Sequence, residues 1–406
     1  MKKLSYIYFY FIIFFFIGTT FSLLIGWFPM IEIKWLWITI QLILTVVFFK
    51  NVLNKKHIVL LLVYFFVLLF NLLIGDTYFN ANKVLLEMLT LLSVTTVFPF
   101  IVNDSTQHFI FKYLILFFVV ICITFIGTSA VYSTDPEIIR NITYALNGGD
   151  NSWRFMYAKL GVESYAFAHA LPVLIPAVIY SLKNNEISKL VKLLLLFLLL
   201  LILALIVMST ATTAVLLSIF LIIISWIWNE KSKTKNIRNF LILFLGGLFL
   251  IITKDLIIDA LFYLLENNES RTYAGKIEDF ILFAETGEAD GEISGRGKLY
   301  QESIDVFFNN MIIGSNDNTR IGGHSVFLDR MAMLGLVGFI PFIMFIYSYF
   351  KFVEKYLLEP LKPYLWISFV FIVLMGISKS IWSYDYLIII FFTMPSFMLY
   401  INKYAK

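Results

Sequence analysis

Apolar residues along this chain fall into runs of about twenty, separated by short polar stretches rich in lysine and asparagine. A run of that length crosses the roughly 30 Å hydrocarbon core of a bilayer as one helix. Lipid offers backbone N–H and C=O groups no partners, so each run must form a helix that satisfies them internally. The pattern predicts an all-α integral membrane protein with about twelve transmembrane helices. Residues 1–406 are expected to form a single polytopic membrane domain.

Most of the predicted spans follow directly from the boundaries of the apolar runs. One run, Leu190–Trp228, is too long for one crossing, so we divide it at the polar segment Ser209–Thr213. The first run follows Met1-Lys2-Lys3 and is interpreted as a spanning helix rather than a signal peptide, because no small-residue cleavage site follows it. That first span and the nine others are expected near Leu4–Trp27, Trp35–Phe49, Ile58–Ile74, Val84–Val102, Phe111–Ser129, Val162–Leu182, Phe240–Ile258, Met331–Phe350, Leu365–Ile377 and Ile381–Ile401.

The loops that would face the cytoplasm carry most of the positive charge. With both termini inside, these segments hold 18 of the 31 Lys and Arg residues but only 5 of the 27 Asp and Glu residues. Positive residues accumulate on the cytoplasmic side of membrane proteins, so the pattern predicts an even number of spans and two cytoplasmic termini. The inner segments between spans are Lys50–His57, Asn103–Lys112, Lys183–Lys192, Asn229–Arg238 and Lys351–Pro363.

Two predicted extracytoplasmic loops are long, covering residues 130–161 and 259–330. Long loops in compact proteins are commonly functional. The second loop contains two sets of apolar residues at helical spacing, which predict two short amphipathic helices over the membrane mouth with their apolar faces down. They could equally cap the helix bundle, and both roles are compatible. The two sets are Tyr273, Ile277, Phe280, Ile281 and Ala284, and Tyr300, Ile304, Phe307, Phe308 and Met311.

Arginine is concentrated on the predicted outer face. The chain has seven arginines, of which only Arg238 is expected inside. The planar guanidinium binds phosphate through two parallel hydrogen bonds, so an outer site for a diphosphate would use this residue type. The alternative is that these arginines are solvated loop charges paired with nearby carboxylates. The candidate substrate-binding arginines are Arg140, Arg154, Arg271, Arg296, Arg320 and Arg330.

A Gly- and Asn-rich segment ends in His324-Ser325 and is followed by the start of an apolar helix at Val326. Ser325 is a natural N-cap, which places His324 at a helix N-terminus, where backbone N–H groups and the dipole favour anions. The same field disfavours imidazolium, so a neutral histidine able to accept a proton is expected. Glu163, at the outer start of a predicted span, is a further candidate for contact with a polar substrate, whereas His169 is expected to pack or hydrogen-bond within its helix.

Motifs for nucleotide or metal chemistry are not found in the sequence. It has no Asp-x-Asp motif, no phosphate-binding loop, no dinucleotide-binding glycine pattern and no Cys/His metal spacing. Neither a metal nor another cofactor is therefore expected, and nucleic acid is not among the expected partners.

The segment that begins with Arg296 and continues through Asn310–Gly314, Gly322–Leu328 and Gly335–Gly338 resembles the O-antigen ligase and Wzy-type repeat-unit polymerase superfamily. The resemblance implies about twelve spans in the bacterial cytoplasmic (inner) membrane with the catalytic loops outside. It implies glycosyl transfer from an oligosaccharide on undecaprenyl diphosphate, in the synthesis of O-antigen or capsule. By resemblance, His324 would deprotonate or orient the acceptor hydroxyl, and Arg296, with Arg154, would hold the diphosphate. A chain-length regulator protein is a partner expected from the family.

Within that superfamily, a polymerase is favoured over a ligase that transfers glycan to lipid A core. Ligases often carry a Ser-Arg pair at the outer turn of the long double span, whereas this chain has Ser209-Thr210 there. A lipid flippase or transporter without chemistry is the alternative from another class. Transporters usually place ionisable groups near mid-membrane, whereas the charges here gather in one outer loop.

Overall fold

The computed structural model describes residues 55–74, 107–135, 156–209, 212–229, 292–315, 321–380 and 382–404. It also describes single residues and short stretches between 10 and 43, between 87 and 102, at 138–139, between 235 and 239, and between 263 and 282. Regular structure within this part of the chain is helical throughout. The helices are α1 (Lys55–Ile74), α2 (Gln107–Tyr132), α3 (Tyr165–Ala170), α4 (Ile175–Lys183), α5 (Lys189–Met208), α6 (Thr212–Ile227), α7 (Glu292–Asn309), α8 (Val326–Glu354), α9 (Lys362–Ser378), α10 (Tyr384–Ile388) and α11 (Met394–Tyr404).

Short irregular helical turns join several of these elements. The 3-10 turn Leu171–Leu174 connects α3 to α4, the 3-10 turn Glu359–Leu361 leads into α9, and the π-helical turn Ile389–Thr393 connects α10 to α11. Prolines Pro172, Pro176 and Pro360 lie at the first or second positions of their elements, where the missing N–H costs no helical hydrogen bond.

Five helical segments within the described residues are long and apolar enough to cross a membrane, which confirms a multi-pass helical membrane protein at that level. They are Phe109–Tyr132, Tyr165–Lys183, Lys189–Met208, Val326–Glu354 and Glu359–Ser378. The expected total of about twelve spans stays a prediction. The predicted span Phe240–Ile258 lies outside the described residues, and Leu4–Trp27, Trp35–Phe49 and Val84–Val102 are described only in part.

The long apolar run that we divided at Ser209–Thr213 is indeed two helices. α5 ends at Met208 and α6 begins at Thr212. At the break, the Ser209 hydroxyl donates to the Ile206 carbonyl at 2.7 Å, which satisfies an acceptor left open by the helix end. A short polar segment within a continuous apolar run therefore correctly located the break between two helices, of which α5 is long and apolar enough to cross a membrane.

The helix α8 is interrupted at Gly335, whose φ of 55° and ψ of −167° are not helical. The break leaves N–H groups beyond it without helical acceptors, and the chain that follows α7 supplies replacements. Leu336 N donates to the Met311 carbonyl at 2.8 Å, and Val337 N donates to the Ile312 carbonyl at 3.1 Å. Non-helical backbone is tolerated in a membrane only when protein groups satisfy it in this way.

Close backbone contact at the break requires glycine on both sides. A Cβ atom on Gly335 would lie 2.4 Å from the Gly314 nitrogen, and one on Gly314 would lie 2.1 Å from the Met333 carbonyl oxygen. Both glycines also have positive φ, which L-residues with a side chain adopt only with strain. Further along α8, Gly338 lets the helix lie directly against Val67 of α1. These glycines fix the register between α7, α8 and α1.

Candidate functional site at one end of the helix bundle

Four segments meet at one end of the bundle: α7, the turn 321–325, the start of α8 and the residues that follow α9. Three hydrogen bonds connect them. The Tyr300 hydroxyl on α7 donates to the Ser378 carbonyl at 2.8 Å, the Ser325 hydroxyl donates to the Gly376 carbonyl at 3.1 Å, and Val326 N donates to the Lys379 carbonyl at 3.1 Å. The turn that carries His324 is therefore held between α7 and α9.

Ser325 is the N-cap of α8, as the sequence predicted. Its hydroxyl oxygen accepts from Leu328 N at 3.1 Å, while the Asp329 carboxylate accepts from Ser325 N at 3.1 Å. This reciprocal pair is a capping arrangement in which two otherwise unpaired backbone donors gain acceptors. It also fixes the direction in which the preceding residue, His324, leaves the helix.

Ser303 on α7 connects the turn to the carboxylate at the start of α8. Its hydroxyl donates to Asp329 Oδ1 at 2.7 Å and accepts from Gly322 N at 3.1 Å. The turn lies so close to α7 that a Cβ atom on Gly322 would be 2.0 Å from the Leu299 carbonyl oxygen. Ser303 is fully buried. The position of His324 over α7 therefore depends on a small, internally bonded contact.

His324 is exposed at this end of the bundle, within range of the charges of two cationic side chains. Its pKa is lowered, chiefly because part of the imidazole is buried and then because Arg296 and Lys379 add positive charge nearby. Asp329 opposes this shift as a smaller contribution. The imidazole is thus favoured in its neutral form at neutral pH, when it can accept a proton. The two cations make the same location attractive to an anion.

Arg296 lies on α7, one turn before Tyr300, and is partly exposed. Its charge acts on both His324 and Tyr300. The pKa of Tyr300 is raised, mainly because the ring is partly buried, and Arg296 opposes that rise. Of the residues proposed from the sequence, Arg296 and His324 lie near enough for the charge of Arg296 to lower the pKa of His324.

Arg330 was expected in the outer loop, whereas the structure places it within α8, buried inside the bundle. Its guanidinium donates to a Glu87 carboxylate oxygen at 2.6 Å and to the Tyr64 hydroxyl, and Tyr64 in turn donates to Glu87 at 2.7 Å. The rings of Phe342 and Trp382 lie 4.9 Å and 5.7 Å from the guanidinium carbon. A diphosphate-binding role for Arg330 stays a prediction, but its hydrogen-bonding groups already have protein partners.

Four other candidate arginines, Arg140, Arg154, Arg271 and Arg320, lie outside the described residues. Their predicted convergence on a diphosphate therefore stays a prediction.

Glu163 is buried directly before α3 rather than inside a helix. The next residue, Ser164, caps α3 and donates to the Asp385 carboxylate at 2.8 Å. His169 is fully buried with Nδ1 2.7 Å from the Tyr165 carbonyl oxygen, which confirms that it packs and hydrogen-bonds within its helix.

The second predicted amphipathic helix is confirmed as α7, whereas its expected place over the membrane mouth stays a prediction. Val306 and Phe307 are buried, whereas Phe308 and Met311 are exposed. The described residues of the first predicted helix are also helical: Gly275, Ile277, Glu278, Ile281 and Leu282.

Sequence reasoning did not single out Ser303 or Glu87, and it placed Lys379 only beside an outer turn, as a possible partner of Asp385, not near His324. Lys379 follows α9 and reaches the site only because α8 and α9 are adjacent and antiparallel. Glu87 is separated from Arg330 by 243 positions along the chain. A capping pattern could have indicated Asp329 as a structural partner of Ser325, but no local signal connects the other three residues to His324 or Arg330.

Within the part of the chain that the structure describes, no group of three His, Cys, Asp or Glu side chains could hold a metal ion. No protein-family model matches the sequence, and no curated protein matches it.

Proposed function

We propose that this protein is a membrane glycosyltransferase that polymerises oligosaccharide repeat units carried on undecaprenyl diphosphate. The reaction would take place at the outer face of the bacterial cytoplasmic membrane and would produce O-antigen or capsular polysaccharide. One observation carries the proposal: a histidine favoured in its neutral form stands beside Arg296 and Lys379 at one end of a bundle of membrane helices.

The chemistry needs a base and an anion-binding group at one location. A hydroxyl of the acceptor repeat unit attacks the anomeric carbon of the donor, and the bond from that carbon to the diphosphate oxygen breaks. The hydroxyl proton passes to His324, and undecaprenyl diphosphate leaves with the bonding electron pair. Cationic groups stabilise the negative charge that develops on the leaving oxygen, which is the role proposed for Arg296. Neutral imidazole supplies the base within hydrogen-bond reach.

The distribution of charge along the bundle agrees with this orientation. The end opposite His324 carries several lysines, including Lys183, whose ammonium donates to the Tyr364 hydroxyl at 3.0 Å, and Lys351, which pairs with Glu354. Lysine at that end is what the cytoplasmic side of a membrane protein would show. Arg296 and His324 would then face the extracytoplasmic side, where lipid-linked repeat units are polymerised.

Substitution of His324 tests the proposal in cells that depend on this protein for long glycan chains. We expect His324→Ala to abolish chains longer than one repeat unit, with a loss of activity of about 10²- to 10⁴-fold, the range that a general base contributes. Glycan length is read by gel electrophoresis, and the amount of protein in the membrane is measured in parallel. Unchanged chain length in His324→Ala would contradict the proposal.

Arg296 allows a matched comparison, because lysine keeps the charge but not the planar fork. We expect Arg296→Gln to lose more activity than Arg296→Lys, since one oxyanion-stabilising group is worth about 10²- to 10³-fold in rate. Lys298, exposed on the same helix, provides the control: Lys298→Gln should retain normal chain length. Equal effects at positions 296 and 298 would argue against a specific anion site.

A further inference from the structure

The segment directly after the buried part of α7 has an unusual surface. Four large apolar side chains within six residues are exposed: Phe308 by 62%, Met311 by 43%, Ile312 by 69% and Ile313 by 55%. The segment contains no charged residue. A contiguous apolar surface of this kind on a protein indicates an apolar partner.

The depth of this segment can be estimated from its hydrogen bonds to α8. The carbonyls of Met311 and Ile312 accept from Leu336 N and Val337 N. The charge-free stretch of α8 begins at Met331, so these acceptors lie beside a point five residues inside it. At 1.5 Å per residue, that point is about 8 Å below the boundary of the apolar stretch. The tip of the segment is therefore at the depth of hydrocarbon.

Several backbone groups in and beside the segment are paired within the protein. Asn310 N donates to the Phe307 carbonyl at 2.9 Å, Gly314 N donates to the Asn310 carbonyl at 3.0 Å, and Ser315 N donates to the Ala332 carbonyl at 2.9 Å. Even the side-chain amide of Asn310 donates inward, to the Val306 carbonyl at 3.1 Å. Irregular backbone that lies within a bilayer needs protein partners of this kind.

The exposed side chains also continue the surface that α8 presents to lipid. Immediately beyond the helix break, Leu336, Val337 and Ile340 are exposed by 39%, 46% and 48%, within a helix long and apolar enough to span a membrane. The backbone hydrogen bonds to Leu336 and Val337 join the two surfaces directly. Acyl chains that cover this side of α8 would therefore meet the Phe308–Ile313 segment as well.

We infer that Phe308–Ile313 is a re-entrant element whose side chains contact the acyl chains of the bilayer. It enters beside the break in α8 and returns toward the His324 turn. Insertion of this segment would anchor the C-terminal end of α7 in the membrane. Because Arg296 lies about three helical turns earlier on the same helix, it would be held at a fixed height above the lipid. This inference does not depend on the proposed glycosyl transfer.

Spin labelling measures the environment of the segment in the full-length protein. Cys122 is the only cysteine, so Cys122→Ser provides a background for single labels. A nitroxide at Ile312→Cys, in protein reconstituted into phosphatidylcholine vesicles, should relax faster with oxygen than with a water-soluble nickel chelate. Ile340→Cys on α8 is the lipid-exposed reference, and Lys298→Cys on α7 is the aqueous reference.

Three outcomes are distinguishable. If position 312 matches position 340, the inference holds. If it matches position 298, the segment lies in water and the inference is wrong. If neither reagent reaches position 312, another protein surface covers the segment, and the inference is equally wrong. A second label at Ile313→Cys repeats the measurement if the first variant does not fold.

Discussion

Among the residues that the structure describes, Glu87 is the carboxylate that pairs with the buried Arg330, so its removal gives a direct test of what holds the start of α8 in place. The side chains of Arg330 and Glu87 are exposed by only 6% and 9%. Two charge-assisted contacts surround the guanidinium, one to Glu87 and one to Tyr64, and Glu87 accepts a further bond from Tyr64. We expect Glu87→Ala to leave an uncompensated charge inside the bundle.

The magnitude follows from the burial. Breaking a buried ion pair by removing one partner costs about 3–5 kcal/mol, whereas removing both charges together is often close to neutral. Glu87→Ala should therefore lower the free energy of unfolding by about 3–5 kcal/mol. The double variant Glu87→Leu with Arg330→Met should cost clearly less than the single variant. At the surface, Glu359, exposed by 85% and paired with Lys362, provides the contrast: Glu359→Ala should cost no more than about 1 kcal/mol.

Equilibrium unfolding in mixed detergent micelles measures these differences. Circular dichroism follows the loss of helix, and tryptophan fluorescence follows the loss of tertiary structure around the eight tryptophans. One of them is Trp382, whose ring lies 5.7 Å from the Arg330 guanidinium carbon. The reasoning would be refuted if Glu87→Ala unfolded with a free energy within 1 kcal/mol of the parent protein. It would also be refuted if the double variant proved as unstable as the single one.

Three further predictions concern the helix break and the candidate site. Gly335→Ala should lower the free energy of unfolding by at least about 2 kcal/mol in the same assay, because the new Cβ atom would lie 2.4 Å from backbone atoms and the residue has a positive φ. Gly295→Ala is the control: a Cβ atom there has no neighbour within 4 Å, so the substitution should be neutral or slightly stabilising. Ser303→Ala should lower the free energy of unfolding by about 1–3 kcal/mol and reduce turnover, because Gly322 N and a buried Asp329 oxygen both lose the hydroxyl that they share. Gln301→Ala, on the exposed side of α7, is the control. Lys379→Met removes a positive charge that lowers the pKa of His324, so the pKa should rise. The acid limb of the kcat/KM profile should therefore move to higher pH. An acid limb that stays in place would contradict a role for neutral His324.

Features encoded over a few neighbouring residues could be predicted from the sequence. The membrane helices follow from apolar runs, the break between α5 and α6 follows from Ser209–Thr213, and the cap at Ser325 follows from a serine directly before an apolar helix. Each depends on backbone hydrogen bonding that nearby residues determine. The same reasoning placed His324 directly before the N-terminus of α8.

Features that depend on contacts between distant segments could not be predicted. Arg330 is next to Asp329 in sequence, yet its ion pair is with Glu87, because the side chain points into the bundle rather than along its own helix turn. At the end of α7, the hydrophobic spacing placed Phe307, Phe308 and Met311 on one apolar face, whereas in the structure Phe307 is buried and the other two side chains are exposed. Periodicity identifies an apolar face but not whether protein or lipid covers it.

Release of undecaprenyl diphosphate from lipid-linked repeat units, measured with the purified protein in vesicles, tests the central claim most directly. The account predicts one released carrier for every repeat unit added to a growing chain, with release lost in His324→Ala and strongly reduced in Arg296→Gln. Carrier lipid that crosses the vesicle membrane with its glycan still attached, and no release of undecaprenyl diphosphate, would contradict it.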